Sequence, residues 1–92
     1  MVVGWGQCIE DEEVELWGEC YNIEETTSLN LPNSGLLGEI PSEIGNLTNL
    51  TSLSLDYNQL TGKIPSEICN QGDNTPNIRT NKLCPLYPEC IS

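Results

Sequence analysis

The feature that most constrains this chain is internal repetition at an offset of 24 residues. The segment from Thr27, TSLNLPNSGLLGEIPSEIGN, recurs from Thr51 as TSLSLDYNQLTGKIPSEICN. Leu29, Leu31 and Leu36 match Leu53, Leu55 and Leu60, and Gly38, Ile40, Pro41, Ile44 and Asn46 match Gly62, Ile64, Pro65, Ile68 and Asn70. A third, degenerate copy follows at an offset of 23, where Ile78, Asn81 and Leu83 match Leu55, Asn58 and Leu60, while Pro76 falls where Leu53 stood. Such a period means stacked units, none of which buries its apolar face alone.

Each recurring position has a physical task. Leu53 and Leu55 alternate, so both point to one face of a short strand, the interior. Asn58 follows where the chain turns, and its amide suits the backbone groups of that turn and of the neighbouring unit. Leu60, Ile64 and Ile68 return to the interior from the other side. Gly62 and Pro65 forbid a long helix there, so 3₁₀ turns or extended segments are expected. Pro76 lacks an N–H and suits an edge, which marks the third copy as a closing unit. Upstream, Trp17-Gly18-Glu19-Cys20-Tyr21 reads as an antiparallel capping strand folded back by a short turn, its acids discouraging further edge pairing.

Leu50, Leu53, Leu55, Asn58 and Leu60 fit the pattern L-x-x-L-x-L-x-x-N-x-L of leucine-rich repeats. Leu36-Leu37-Gly38-Glu39-Ile40-Pro41 and Leu60-Thr61-Gly62-Lys63-Ile64-Pro65 resemble the L-T-G-x-I-P segment of the plant-type class, found in receptor-kinase ectodomains, polygalacturonase-inhibiting proteins and bacterial extracellular repeat proteins. The first copy departs from it at Leu37. Trp17-Gly18…Cys20 looks like that family's N-terminal cap, and Asn81-Lys82-Leu83-Cys84…Cys90 like its C-terminal cap. The resemblance implies an α/β fold, a right-handed leucine-rich-repeat solenoid with short parallel strands, a 3₁₀ or extended convex side and disulfide-stapled caps. The organisation expected is one domain, residues 1–92, divided into a cap (1–25), two repeats (26–49 and 50–72) and a degenerate repeat with a second cap (73–92).

Composition excludes several functions. Fourteen acids against three bases, Lys63, Arg79 and Lys82, give a charge of −11, which repels phosphate backbones and anionic lipid, so neither nucleic acid nor membrane is an expected partner. Eight of the acids lie between Glu10 and Glu25. No stretch approaches the ~20 apolar residues of a membrane span. Met1-Val2-Val3-Gly4-Trp5 is too short and lacks the basic residues of a signal peptide, so the chain is read as a mature fragment or one carrying an added Met1. With no His to act as general base and no recognisable carboxylate constellation, no catalysis and no cofactor are expected, and a carbohydrate-processing enzyme is the last of the readings. Gly38 and Gly62 recur with the repeat and are structural, not a phosphate loop.

Repeat solenoids bind through the variable residues of their concave face. The candidates are Ser28, Asn30, Pro32 and Asn33 in the first unit, Thr51, Ser52, Ser54, Asp56 and Tyr57 in the second, and Asn74, Thr75, Asn77, Arg79 and Thr80 in the third. Tyr57 and Arg79 belong to the residue types enriched in binding hot spots. The remainder also suits a merely solvated face. The acidic run Glu10-Asp11-Glu12-Glu13 lacks the glycine-punctuated spacing of a calcium loop and reads as a solvated cap. Asn46-Leu47-Thr48 and Asn49-Leu50-Thr51 match the glycosylation acceptor pattern, which Thr-rich repeats produce by composition.

Five cysteines in so short a chain indicate an oxidising compartment, extracellular or at the cell surface. Without a C-x₂-C pair or a His they point to disulfides and to no metal. Cys8 and Cys20 flank the capping segment and are expected to pair. The resemblance implies Cys84–Cys90, which leaves Cys69 free. A stacked Cys69–Cys90 bridge stands as the rival, because the two lie 21 residues apart, close to one repeat.

The functional expectation is a non-catalytic extracellular module that binds a protein or peptide ligand. The alternative is a minimal or truncated repeat scaffold with a structural role. Two repeats bury little, and the Pro-broken C-terminal end is the weaker cap, so a homodimer through that end is weighed against a disulfide-stapled monomer. Such a dimer keeps the acidic N-termini apart. The register itself makes a prediction. Leu53→Asp places an unpaired charge in the interior and should unfold the domain, as judged by loss of the cooperative urea transition. A folded, soluble Leu53→Asp protein refutes the register.

Overall fold

The computed structural model of the 92-residue chain describes residues 8–85 and 87–91. The Met1-Val2-Val3-Gly4-Trp5 start lies outside them. Among the described residues are seven short strands: β1 (Glu13–Leu16), β2 (Glu19–Asn22), β3 (Ser28–Asn30), β4 (Leu37–Gly38), β5 (Ser52–Ser54), β6 (Gln59–Gly62) and β7 (Lys82–Leu83). The helical segments among them are the 3₁₀ turns Ser42–Asn46 and Ser66–Cys69.

The repeat offset is also the strand register. β3 and β5 run parallel with Ser28 opposite Ser52 and Leu29 opposite Leu53. Pairing continues past the strand ends, because the Leu31 N–H donates to the Ser54 carbonyl at 2.8 Å. Pro76 leaves the third unit with a single parallel bridge, Ser54 to Asn77, flanked by Asn77 N–H to Leu53 O and Leu55 N–H to Asn77 O. Where the ladder fails, a side chain replaces it. The Asp73 carboxylate accepts the Leu53 N–H at 2.8 Å, and buried Gln71 holds Asp73 through bonds at both its backbone N–H and C=O.

On the opposite side the L-T-G segments form a second parallel sheet, β4-β6-β7. Gly38 and Gly62, both at φ +79°, end their strands in the left-handed region and turn the chain into Pro41 and Pro65. Each Pro is extended and precedes a 3₁₀ turn, where its missing N–H costs nothing. The two 3₁₀ turns stack closely because Gly45 has no side chain. A Cβ there would lie 2.7 Å from the Glu67 carbonyl oxygen.

Between the two sheets lies one apolar core. Leu53, Leu55, Leu60, Ile64 and Ile68 of the second unit are buried, as are Leu29, Ile40, Ile44 and Leu47 of the first. Leu31 and Leu36 are only half-buried, whereas their counterparts Leu55 and Leu60, with units on both sides, are fully covered. Full burial of one such side chain contributes about 1.5–3 kcal/mol.

The N-terminal segment is an antiparallel strand folded back by a short turn, as its residues suggest, and the structure supplies its partner. The antiparallel partner of β2 is β1, in register Val14 to Tyr21, not a strand of the repeats. Trp17 (φ 50°) and Gly18 (φ 85°) form the two-residue left-handed turn that matches the twist of a hairpin. Val14 and Leu16 enter the core, and β1 packs on the first 3₁₀ turn. Burial, and next the charge of Glu19, hold the Tyr21 phenol above its ordinary pKa. The Asn22 side chain caps the exit by accepting the N–H groups of Glu24 and Glu25.

The cysteines correct one expectation. Cys8 is bonded to Cys20, but Cys90 is bonded to Cys69, not to Cys84, which is free and exposed. Cys69 occupies the position of Gly45 one unit later, where among the described residues no further 3₁₀ turn stacks on it, and its Cα lies 5.6 Å from that of Cys90. Cys84 continues the β6–β7 ladder through its N–H to the Gly62 carbonyl.

Asn58 is the most heavily bonded side chain of the repeats. Its Nδ2 donates to the carbonyls of Leu31, Leu55 and Asp56, and its Oδ1 accepts the N–H groups of Ser34 and Leu36. Asn81 repeats the pattern with Leu55, Ile78 and Arg79, and accepts the Leu60 N–H. Asn58→Ala leaves five backbone groups, one buried and four partly buried, without this partner, and an unmade bond costs up to about 1–3 kcal/mol where the group is buried. The expected loss is on the order of 3 kcal/mol or more by urea denaturation, larger than for Asn81→Ala, whose oxygen serves one N–H among the described residues. Equal losses would remove Asn58 from this role.

Candidate functional site

The candidate residues divide into two groups with different local chemistry. Ser28, Asn30, Ser52, Ser54 and Asn77 lie on or beside the β3–β5 sheet. They are largely engaged with one another and with the backbone. The Asn30 amide donates to Ser28 Oγ at 2.8 Å, the Ser52 hydroxyl donates to Asn30 Oδ1 at 3.0 Å, and Asn77 Oδ1 accepts the Arg79 N–H. Thr51 is similarly used, its hydroxyl donating to the Thr27 carbonyl. This part of the face is a hydrogen-bonded polar ribbon.

The second group lies beyond the strands, in the turn that precedes Ser34, Asn58 and Asn81. Sequence reading put these residues on the strand face, and the structure moves them to its rim. Asn33, Tyr57 and Thr80 follow one another at the repeat spacing, and all three are left-handed, with φ of 53°, 59° and 59°. After Tyr57 and Thr80 the next residue, Asn58 or Asn81, aims its side chain inward and the left-handed residue makes that reversal, whereas after Asn33 comes the exposed Ser34. Asn33 adopts this conformation readily, whereas a residue with a bulky Cβ substituent pays roughly 1–2 kcal/mol. Tyr57 nonetheless stands there with 61 % of its surface exposed. With Asn33, Gly35, Gln59 and Thr80 it lines an open depression of about 270 Å³.

Asp56 and Arg79 sit one residue before this row. Their backbones continue the ladder, with Asn33 N–H to Asp56 O and Tyr57 N–H to Arg79 O, both at 3.0 Å. The Arg79 side chain is exposed beside two further clefts that involve the C-terminal segment. Asn74 and Thr75 belong instead to the Asp73 loop, in which the Asp73 carboxylate accepts the Thr75 N–H. The left-handed row was missed from sequence. Its position is the residue before each repeat asparagine, and neither Tyr57 nor Thr80 is a type that favours φ > 0, so composition gives no sign of it.

Metal chemistry finds one grouping among the described residues. The Cys8 and Cys20 sulfurs and a Glu13 carboxylate oxygen lie within 4.8 Å of one another. The two sulfurs are bonded together, and Glu13 accepts the Ile9 N–H, so the donors are committed to the hairpin. Among the described residues no helix is long and apolar enough to cross a membrane. The glycosylation-pattern residues differ in setting. Asn46 is exposed, and the Asn49 side chain donates to the Glu24 carbonyl and ties the hairpin exit to the second unit.

Comparison with known proteins agrees with this architecture. The family profile described as Leucine Rich Repeat matches residues 25–47 and 49–71, together half of the chain. No curated protein matches it. The matched segments are the two units whose leucines form the core and whose strands pair in parallel, and on that ground the chain belongs to the leucine-rich-repeat family.

Proposed function

We propose that this chain is an extracellular, non-catalytic module that binds a protein or peptide through the rim of its strand face. Leucine-rich repeats generally mediate protein–protein interaction. Within that class the L-T-G-x-I-P segments support the plant-type subclass and a right-handed solenoid, closed at its ends by residues 1–25 and 73–92. Two disulfides support a secreted or surface setting.

The observation that carries the proposal is Tyr57. The first unit has Asn at this left-handed position, which is the less strained choice. Holding an exposed aromatic ring there instead serves no packing purpose visible in the core. A rigid ring with two rotatable bonds is the type of group that anchors interfaces. The structural-scaffold reading draws support from the self-satisfied Ser28–Asn30–Ser52 ribbon, which offers a partner little.

One substitution separates the readings. Tyr57→Asn should raise stability by about 1 kcal/mol, seen as a higher urea midpoint with unchanged slope. In a binding screen against purified secreted proteins it should weaken the wild-type interaction at least tenfold. A variant that is stabilised and binds every identified partner as well as wild type would favour the scaffold and end the anchor role.

A further inference from the structure

The Cys69–Cys90 bond folds the C-terminal segment back onto the third unit, where the Ile91 N–H closes a turn on the Pro88 carbonyl at 3.0 Å. Two adjoining clefts of about 280 and 240 Å³ result. Ile78, Arg79 and Ile91 line both. Thr75, Pro76, Asn77 and Cys90 add to one cleft, and Thr80, Asn81, Leu83 and Tyr87 to the other. No Asp or Glu lines either cleft, in a chain that carries 14 acids. Arg79 is therefore a cation in a mixed lining, with Ile78 and Ile91 as its shared apolar part and no acid beside it.

We propose that this double cleft binds a carboxylate held next to an apolar side chain on a peptide partner, such as a chain terminus ending in leucine. The inference rests on the protein-interaction reading and adds the chemistry recognised. A guanidinium presents paired N–H donors that fit a carboxylate, and Thr75 and Asn77 place further polar groups in the same cleft. The apolar side chain fills the Ile78–Leu83–Ile91 side. Charge along the chain favours this end for an anionic group. Residues 1–46 carry ten acids and no base, while residues 47–92 carry four acids and all three bases. An acidic ligand is repelled by the hairpin end and steered to the third unit. The disulfide preorganises the site, so little ordering is left for binding.

The test uses the full oxidised chain, isotopically labelled, titrated with acetyl-leucine and separately with acetyl-leucinamide. The free acid should shift the resonances of Ile78, Leu83, Ile91 and the Arg79 guanidinium, and should bind at least tenfold more tightly than the amide. Added salt should weaken it. Arg79→Gln should abolish the difference between acid and amide, and Arg79→Lys should restore part of it. Tyr57→Asn, which tests the wider reading, should leave the probe's binding unchanged. Equal binding of acid and amide, shifts centred outside the cleft, or tighter binding of phenyl phosphate than of acetyl-leucine would overturn the proposal. A dimer by light scattering that shields Ile78 and Ile91 would overturn it too, by giving the cleft to a second copy. A protein partner that requires Tyr57 and tolerates Arg79→Gln would leave the interaction reading intact and sink this one.

Discussion

The structure depends on how each turn satisfies the backbone of the unit before it. A stack of short strands leaves carbonyl and amide groups at every reversal, and those groups are buried by the next unit. Asn58 answers five of them at once, spanning from Leu31 to Asp56. Its side chain is 8 % exposed, so each bond is made where an unmade one is costly. An amide suits the task because it offers donors and an acceptor from one rigid group. The leucines supply the driving force for burial, and the asparagines make burial of the turn permissible.

The same requirement explains the left-handed row. To send Asn58 and Asn81 inward, the preceding residue reverses the chain with positive φ, and so Tyr57 and Thr80 are held where their own preference is poor. The scaffold thus imposes a fixed, exposed, conformationally locked position on each unit. The backbone there is fixed while the side chain is presented to solvent, as at Tyr57.

The ends show how a two-unit stack closes. At one end a hairpin inserts Val14 and Leu16 and is stapled by Cys8–Cys20. At the other, Pro76 breaks the ladder, the Asp73 carboxylate substitutes for a missing carbonyl, and Cys69–Cys90 draws the tail across the last unit. A disulfide contributes about 2–4 kcal/mol in a chain of this kind, a large share of the stability of a small domain. The second closure also creates the concavity around Arg79, so stabilisation and the clefts arise from one bond.

Much of the fold was legible in the residues themselves. The 24-residue identity gave the strand register, because identical units stack with identical offsets, and Ser28 does face Ser52. The alternation of Leu53 and Leu55, the turning role of Asn58 and the 3₁₀ turns after Pro41 and Pro65 are local consequences of side-chain geometry and hydrogen-bonding capacity. What the sequence left open were matters of distance between segments far apart in the chain. Cys69 and Cys84 were both within reach of Cys90 by counting, and only the path of the last unit decided between them. The self-pairing of the hairpin, the positive φ at Tyr57 and the clefts about Arg79 likewise arise from how units pack, because a backbone conformation or a concavity is set by neighbours that local spacing does not name.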